Sequence, residues 1–217
     1  MKFRWCVMSA FVLVACEAPS ATRPIAAYDP TILTGGLRYR WTSGTTVRVW
    51  TVDASSASPM NLGIAVRAAM SRWNDARQFA EFTLSSASSI GEADVVIYDR
   101  ESALPVVPAS CTFDPRGSAG YTYFCPGTGT PQRTERMLAT SGVGSISILI
   151  RVDRGRVTTQ TAYNAIVAHE FGHVLGIGSH SDVSTDLMFG LPTVEAPSPR
   201  DRATLRSVLG ALPDLLL

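Results

Sequence analysis

The chain has 217 residues, 46% hydrophobic and 17% charged, with 19 Lys and Arg set against 18 Asp and Glu for a formal net charge of +1. That length suits one domain with enough chain to bury a core. A balance so close to neutral excludes a general pull toward nucleic acid or acidic lipid.

The first element is an export signal. MKFRWCVMSAFVLVAC places Lys2 and Arg4 before an apolar stretch from Val7 to Ala15 that is too short to span a bilayer as a mature helix. Leu13-Val14-Ala15-Cys16 resembles a bacterial lipobox. This resemblance implies cleavage before Cys16, acylation of that cysteine and an exported protein anchored by lipid, with the outer membrane favoured because Glu17 stands where some lipoproteins carry a retention aspartate. An ordinary signal cut near Ala21 is the alternative. Loss of Lys2 and Arg4 leaves 17 basic residues against 18 acids, a net charge of −1. Residues 1–15 are therefore expected to be signal, 16–37 a lipidated cysteine and an Ala/Pro/Thr/Gly-rich tether, and 38–217 one domain.

Within that domain TTVRVWTVD (45–53) alternates as a strand, with Val47 and Val49 on one face. Ser58-Pro59 has the form of a helix cap and first-turn proline, and Leu62, Val66, Ala69 and Trp73 recur behind it at helical spacing. FAEFTLS (79–85), ADVVIYD (93–99), AGYTYFC (119–125) and SISILIRVD (145–153) read as four further strands. A helix is expected to start near Thr158 or Thr159 and run through the histidines. SPRD (198–201) is a capping box for a last helix with Leu205, Val208 and Leu209 on its inner face. The order predicts an α+β fold. Export also makes Cys111 and Cys125, 14 positions apart, a candidate disulfide worth about 3 kcal/mol in the chain-entropy model, with two free thiols as the alternative.

All three histidines fall within AHEFGHVLGIGSHSD (168–182). His169 and His173, four apart on a helix, project side by side and can share a tetrahedral cation, while Glu170 lies on the neighbouring stripe, within reach of a water at that cation. Gly176 follows where a glycine lets a helix stop in a left-handed turn, and Asp186-Leu187-Met188 comes further on.

This arrangement resembles the metzincin zinc metalloproteases, whose motif H-E-x-x-H-x-x-G-x-x-H precedes a methionine turn. The matrixin-like branch is the nearest. Ser118 to Gly127 resembles its substrate-binding edge strand, Arg72-Trp73-Asn74 its first-helix motif, and Asp201 to Leu205 its closing helix. The resemblance runs over roughly residues 38–210 and is most specific in 169–188. It implies a twisted, mainly parallel five-stranded sheet with an antiparallel edge strand, and one catalytic Zn2+ on His169, His173 and a third ligand. It also implies Glu170 as general base, Met188 as a nonpolar floor under the histidines, and an extended peptide as substrate. The protein is expected to act as a monomer without nucleic-acid partners.

One position departs from the family. The third-ligand site is occupied by Ser179, and His180 comes one residue late. A loop, unlike a helix, can bulge by one residue and still deliver an imidazole, so His180 is the expected ligand, with Asp182 and Glu195 as lesser alternatives. Ser179 is a poor one, because a neutral hydroxyl binds zinc weakly. With no histidine to spare, the extra histidine-containing zinc site of many matrixins is excluded. No tyrosine follows Met188, and no P-R-C-G-like latency segment precedes the domain. Calcium, common in the family, cannot be placed; Asp99, Asp114 and Asp153 are no more than candidates, with ordinary surface or turn residues as the favoured alternative. Two rival readings remain, a degenerate lipid-anchored binding module and a zinc hydrolase acting on small substrates in a closed pocket.

Overall fold

Among the described residues the strands and α-helices follow one another as β1 (Arg38–Trp41), β2 (Thr45–Val52), α1 (Leu62–Asp75), β3 (Phe82–Ser86), β4 (Val95–Asp99), β5 (Gly120–Phe124), β6 (Glu135–Leu138), β7 (Ile148–Val152), α2 (Gln160–Val174) and α3 (Pro199–Gly210). The structure is a computed structural model that describes residues 25–30, 38–41, 43–52, 60–100, 117–124, 135–138 and 148–210. The signal-like residues 1–15, Cys16, Cys111, Asp114 and Cys125 lie outside them, and with them the expected lipidation and disulfide.

The main sheet has the order β3-β2-β4-β7-β5. Strands β3, β2, β4 and β7 run parallel, and β5 pairs antiparallel with β7 at the sheet's end, Gly120 opposite Val152 and Phe124 opposite Ile148. The fold is thus α+β with a mostly parallel five-stranded sheet and an antiparallel edge strand, as expected. The central strands VVIYD and ILIRV are nearly continuous apolar runs because both faces of the sheet are covered.

Period-two alternation splits their side chains between two clusters. Val47, Val49, Val95, Ile97, Ile148, Ile150 and Val152 pack against α1 and α2. Val96, Tyr98 and Leu149 face the other way, with Trp50, Val52 and Tyr123 beside them.

Helix α1 buries Leu62, Val66, Ala69 and Trp73, the four residues its spacing singled out. Its cap differs from expectation. Asn61, not Ser58, stands at the N-cap and accepts the Ile64 amide at 3.0 Å, so the helix starts after the Ser-Pro pair; those two residues lie outside the described set. An Asn side chain serves an N-cap as well as Ser, so the signal three residues upstream was redundant. Two short strands were also missed: β1 and β6 form their own parallel pair, Arg38 opposite Glu135. Four residues are too few for alternation to show.

Helix α2 is buried almost all round, from Tyr163 to Val174, since it packs against α1, β5 and β7. Two indole hydrogen bonds fix it: Trp73 Nε1 donates to Ala168 O and Trp41 Nε1 to Val174 O, both at 2.8 Å. The rest of the Arg72-Trp73-Asn74 segment also makes long-range bonds. Asn74 brackets Leu84 of β3 through both ends of its amide at 2.9 Å, and Arg72 pairs with Glu195 at 2.6 Å. No helix of the described residues is long and apolar enough to cross a membrane.

Part of the expected tether is docked. Tyr28 donates its backbone N–H to Thr204 Oγ1 at 3.1 Å and its phenol to Asp201 at 2.7 Å, while Pro30 O accepts from Gly178 N at 2.7 Å. The composition of residues 16–37 reads as a tether; within it residues 28–30 are held by Tyr28 on α3 and by the Asp29 and Pro30 carbonyls at Ser179 and Gly178.

Candidate metal centre

The site begins with how α2 starts and stops. Thr159 caps it, its hydroxyl accepting from Ala162 N at 3.1 Å. At the other end Gly176 has φ +100°, its N–H reaches His173 O at 2.9 Å, and Ile177 N reaches Gly172 O at 3.1 Å. This pair of bonds is a Schellman stop, and the positive φ is why glycine is required there. Ile177 is thereby buried, and its carbonyl is turned back onto the helix, where it meets His173 Nδ1 at 2.6 Å. Leu187 O does the same for His169 Nδ1 at 2.8 Å. A carbonyl can only accept, so both Nδ1 atoms carry hydrogen and both Nε2 lone pairs are left to face a cation.

His180 completes the set. Ring centroids stand 4.9 Å (169 to 173), 5.0 Å (169 to 180) and 5.2 Å (173 to 180) apart, and one ligand nitrogen from each ring lies within 4.8 Å of the others. Three neutral imidazoles in that arrangement fit a divalent metal such as Zn2+, whose ligand nitrogens sit about 2 Å from the ion. The alternatives lie elsewhere: Asp182 is exposed and paired with Arg200 at 3.0 Å, and Glu195 pairs with Arg72 and accepts from Asn164. Ser179, the extra residue and half-buried, turns its hydroxyl to the backbone carbonyl of Asp29, while the exposed His180 brings its ring to the other two.

The two calcium candidates among the described residues, Asp99 and Asp153, pair with arginines. Asp99 is fully buried against Arg154 at 3.1 Å and accepts from Tyr163 at 2.6 Å; Asp153 meets Arg100 at 3.0 Å and Arg156 at 3.4 Å. Guanidinium groups balance both charges where a cation was conceivable.

Met188 is fully buried against α2. A Cβ on Gly172 would run into Met188 Sδ and come within 3.0 Å of Trp73, so the second-last letter of H-E-F-G-H is glycine because the Met188 side chain occupies its side-chain space. The turn carrying Met188 hangs from two buried carboxylates. Asp201 accepts from Leu187 N (2.8 Å), Met188 N (3.3 Å), Ser198 N (2.8 Å) and Tyr28; Asp186 accepts from Ser181 and Ser198 hydroxyls at 2.5 and 2.6 Å. Ser198 and Asp201 form the expected capping box, with Ser198 Oγ accepting from Asp201 N at 3.1 Å. The box signal found α3, but it did not reveal that the same aspartate holds the methionine turn.

Electrostatics favour an uncharged histidine set. Burial, reinforced by the neighbouring imidazoles, lowers His169 well below the ordinary value and His173 to about 4; burial also lowers His180. Glu170 is buried beside them and pushed up to about 7, opposed by the Thr122 hydroxyl, which donates to its Oε2 at 2.6 Å. Thr122 was not among the residues the sequence pointed to; a threonine at strand spacing carries no signal of its own.

The triad opens onto a cavity of about 930 Å3 bounded by β5, the outer turns of α2 and the stretch from Gly190 to Thr193. It follows β5 from Gly120 to Phe124, a run of about 17 Å at strand rise, and β5 is the last strand of the sheet among the described residues. Tyr121 and Leu191 stand exposed along its walls.

No protein-family model matches the chain, and no curated protein is significantly similar to it.

Proposed function

We propose that the protein is a zinc-dependent endopeptidase of metzincin type, matrixin-like, exported and anchored by lipid at Cys16. The observation that carries this reading is the meeting of three imidazoles, two with their tautomers fixed by carbonyls, with a buried glutamate at the floor of a groove that runs beside an edge strand.

His169, His173 and His180 would hold the metal. A zinc ion held there supplies Lewis acidity toward a peptide carbonyl and toward a water. The chain's own groups do the rest. Strand β5 offers backbone to an extended substrate, which adds to the sheet as one more strand. Glu170 takes a proton from the attacking water and returns it to the leaving amine, acting first as general base and then as general acid. A groove along a strand suits an extended chain better than a small ester or amide, which favours the peptidase over the small-substrate hydrolase.

The test sets the zinc-loaded protein and its Glu170→Gln variant against a diverse peptide mixture read by mass spectrometry, with metal content determined on both. Cleavage by the first alone, with zinc in both, is expected. Zinc in both and cleavage by neither would favour a binding module.

A further inference from the structure

Thr122 is the third residue of β5, and its hydroxyl oxygen stands 2.6 Å from Glu170 Oε2 and 3.2 Å from the Glu170 backbone carbonyl. Gly120 is two residues earlier on the same face of the strand. A Cβ there would fall on Glu170 Oε1 and stand 2.8 Å from Ile166 Cγ2. The carboxylate therefore lies along the inner face of β5, with Oε2 at Thr122 and Oε1 over the space that Gly120 leaves open.

The last torsion of a glutamate is broad and nearly two-fold, so a carboxylate without a fixed partner samples many orientations. Thr122 makes the one hydrogen bond from a side chain that reaches this carboxylate among the described residues. Its hydroxyl has a single hydrogen, and an ionised carboxylate only accepts, so Thr122 donates to Oε2.

We propose that Thr122 is a positioning residue for Glu170: it holds Oε2 as a hydrogen-bond acceptor and so makes Oε1 the oxygen that exchanges the proton. The inference rests on the peptidase reading. As the water oxygen bonds to the carbonyl carbon, its proton passes to Oε1; as the carbon–nitrogen bond breaks, the same proton passes to the amine nitrogen. The Thr122 hydrogen stays on its own oxygen throughout. Because Thr122 sits on the strand that the substrate would pair with, one element both receives the peptide and sets the base.

The experiment compares Thr122→Val and Thr122→Ser in the zinc-loaded protein. Kinetics are measured on a peptide that the wild type cleaves, metal content is determined, and the Glu170 side-chain carboxyl resonance is followed by 13C NMR with and without metal. Valine keeps the shape and removes the donor. It is expected to lower kcat about ten- to a hundredfold with KM and zinc content unchanged, and to move the carboxyl resonance. Serine is expected to restore both.

An unchanged kcat in Thr122→Val, with wild type active, overturns the proposal and leaves the peptidase reading standing. So does a loss that serine fails to restore, which would assign Thr122 to packing. A wild type that holds zinc and cleaves nothing removes the peptidase reading, and this inference with it.

Discussion

Tyr28 and Asp201 are 173 positions apart and share a 2.7 Å hydrogen bond from phenol to carboxylate. Burial and the neighbouring Asp201 and Asp186 raise the phenol far above its ordinary value, so it remains a donor at any working pH. Asp201 in turn holds the amides of Leu187 and Met188, and Leu187 O fixes His169. A residue of the expected tether is thus three hydrogen bonds from a histidine of the candidate metal cluster.

Tyr28→Phe leaves the ring under Arg200, 5.5 Å away, but removes one donor from a fully buried carboxylate. The expected cost is about 1.5–3 kcal/mol, the range for a hydrogen bond to a charged group, read as a lower urea midpoint at unchanged m-value. An unaltered midpoint would show that residues 28–30 merely rest on α3.

Gly172 and Met188 compete for one volume, since a Cβ on the first meets the sulfur of the second. Gly172→Ala should destabilise by about 1–3 kcal/mol through overpacking. In a Met188→Ala background the same change should cost less, because the sulfur is gone and only Trp73 Cζ2, 3.0 Å away, still crowds the Cβ. The double-mutant cycle reads the coupling directly; strictly additive effects would mean that the methionine is not what forbids the side chain.

How far the sequence could be read follows from the range of each signal. His169 and His173 were legible because helical spacing is rigid, and the sheet strands because β2 and β3 lie in alternating segments while β4 and β7 are short apolar runs. Asn61 was missed because Ser58-Pro59 is an equally good local cap. Thr122, Gly172 and Asp201 were missed as parts of the site because their roles depend on partners 48, 16 and 13 or more positions away, namely Glu170, Met188 and the turn amides. Those are tertiary contacts, on which local pattern is silent. The docking of residues 28–30 was not legible for a related reason: composition reports the average of a segment, and their bonds go to Thr204, Asp201, Gly178 and Ser179, all distant in sequence.

The buried imidazoles and Glu170 set opposite pH dependences in the metal-free protein. His173, at about 4 when folded, and His169, also lowered, stay neutral while the unfolded chain protonates both below about 6.5. Glu170, at about 7 when folded, keeps a proton that the unfolded chain loses above about 4.5. Between about pH 4.5 and 6.5 two histidines add protons to the unfolded state and one glutamate adds one to the folded state. The unfolded chain therefore binds more, and stability falls as pH is lowered through that window. Glu170→Gln removes the opposing contribution and should steepen the fall by about 1.4 kcal/mol per pH unit. Urea titrations of both metal-free proteins from pH 7 to pH 5 check the sign; a shallower slope in the variant would contradict it.

His180 sits one residue beyond the spacing of the family motif, and the clearest measure of its role is metal affinity. Its imidazole shares the 4.8 Å cluster, whereas Asp182 points to Arg200 and Glu195 to Arg72. His180→Ala should weaken zinc binding by more than the roughly 10- to 100-fold that losing an outer-shell partner costs. Asp182→Ala, which removes an exposed ion pair, should leave affinity unchanged. Glu195→Gln should lower stability through the Arg72 pair while zinc is retained. Chelator competition on the three variants separates the cases. Equal loss in His180→Ala and Asp182→Ala would mean that the loop exchanges ligands, and that the bulge at Ser179 does not deliver the imidazole to the metal.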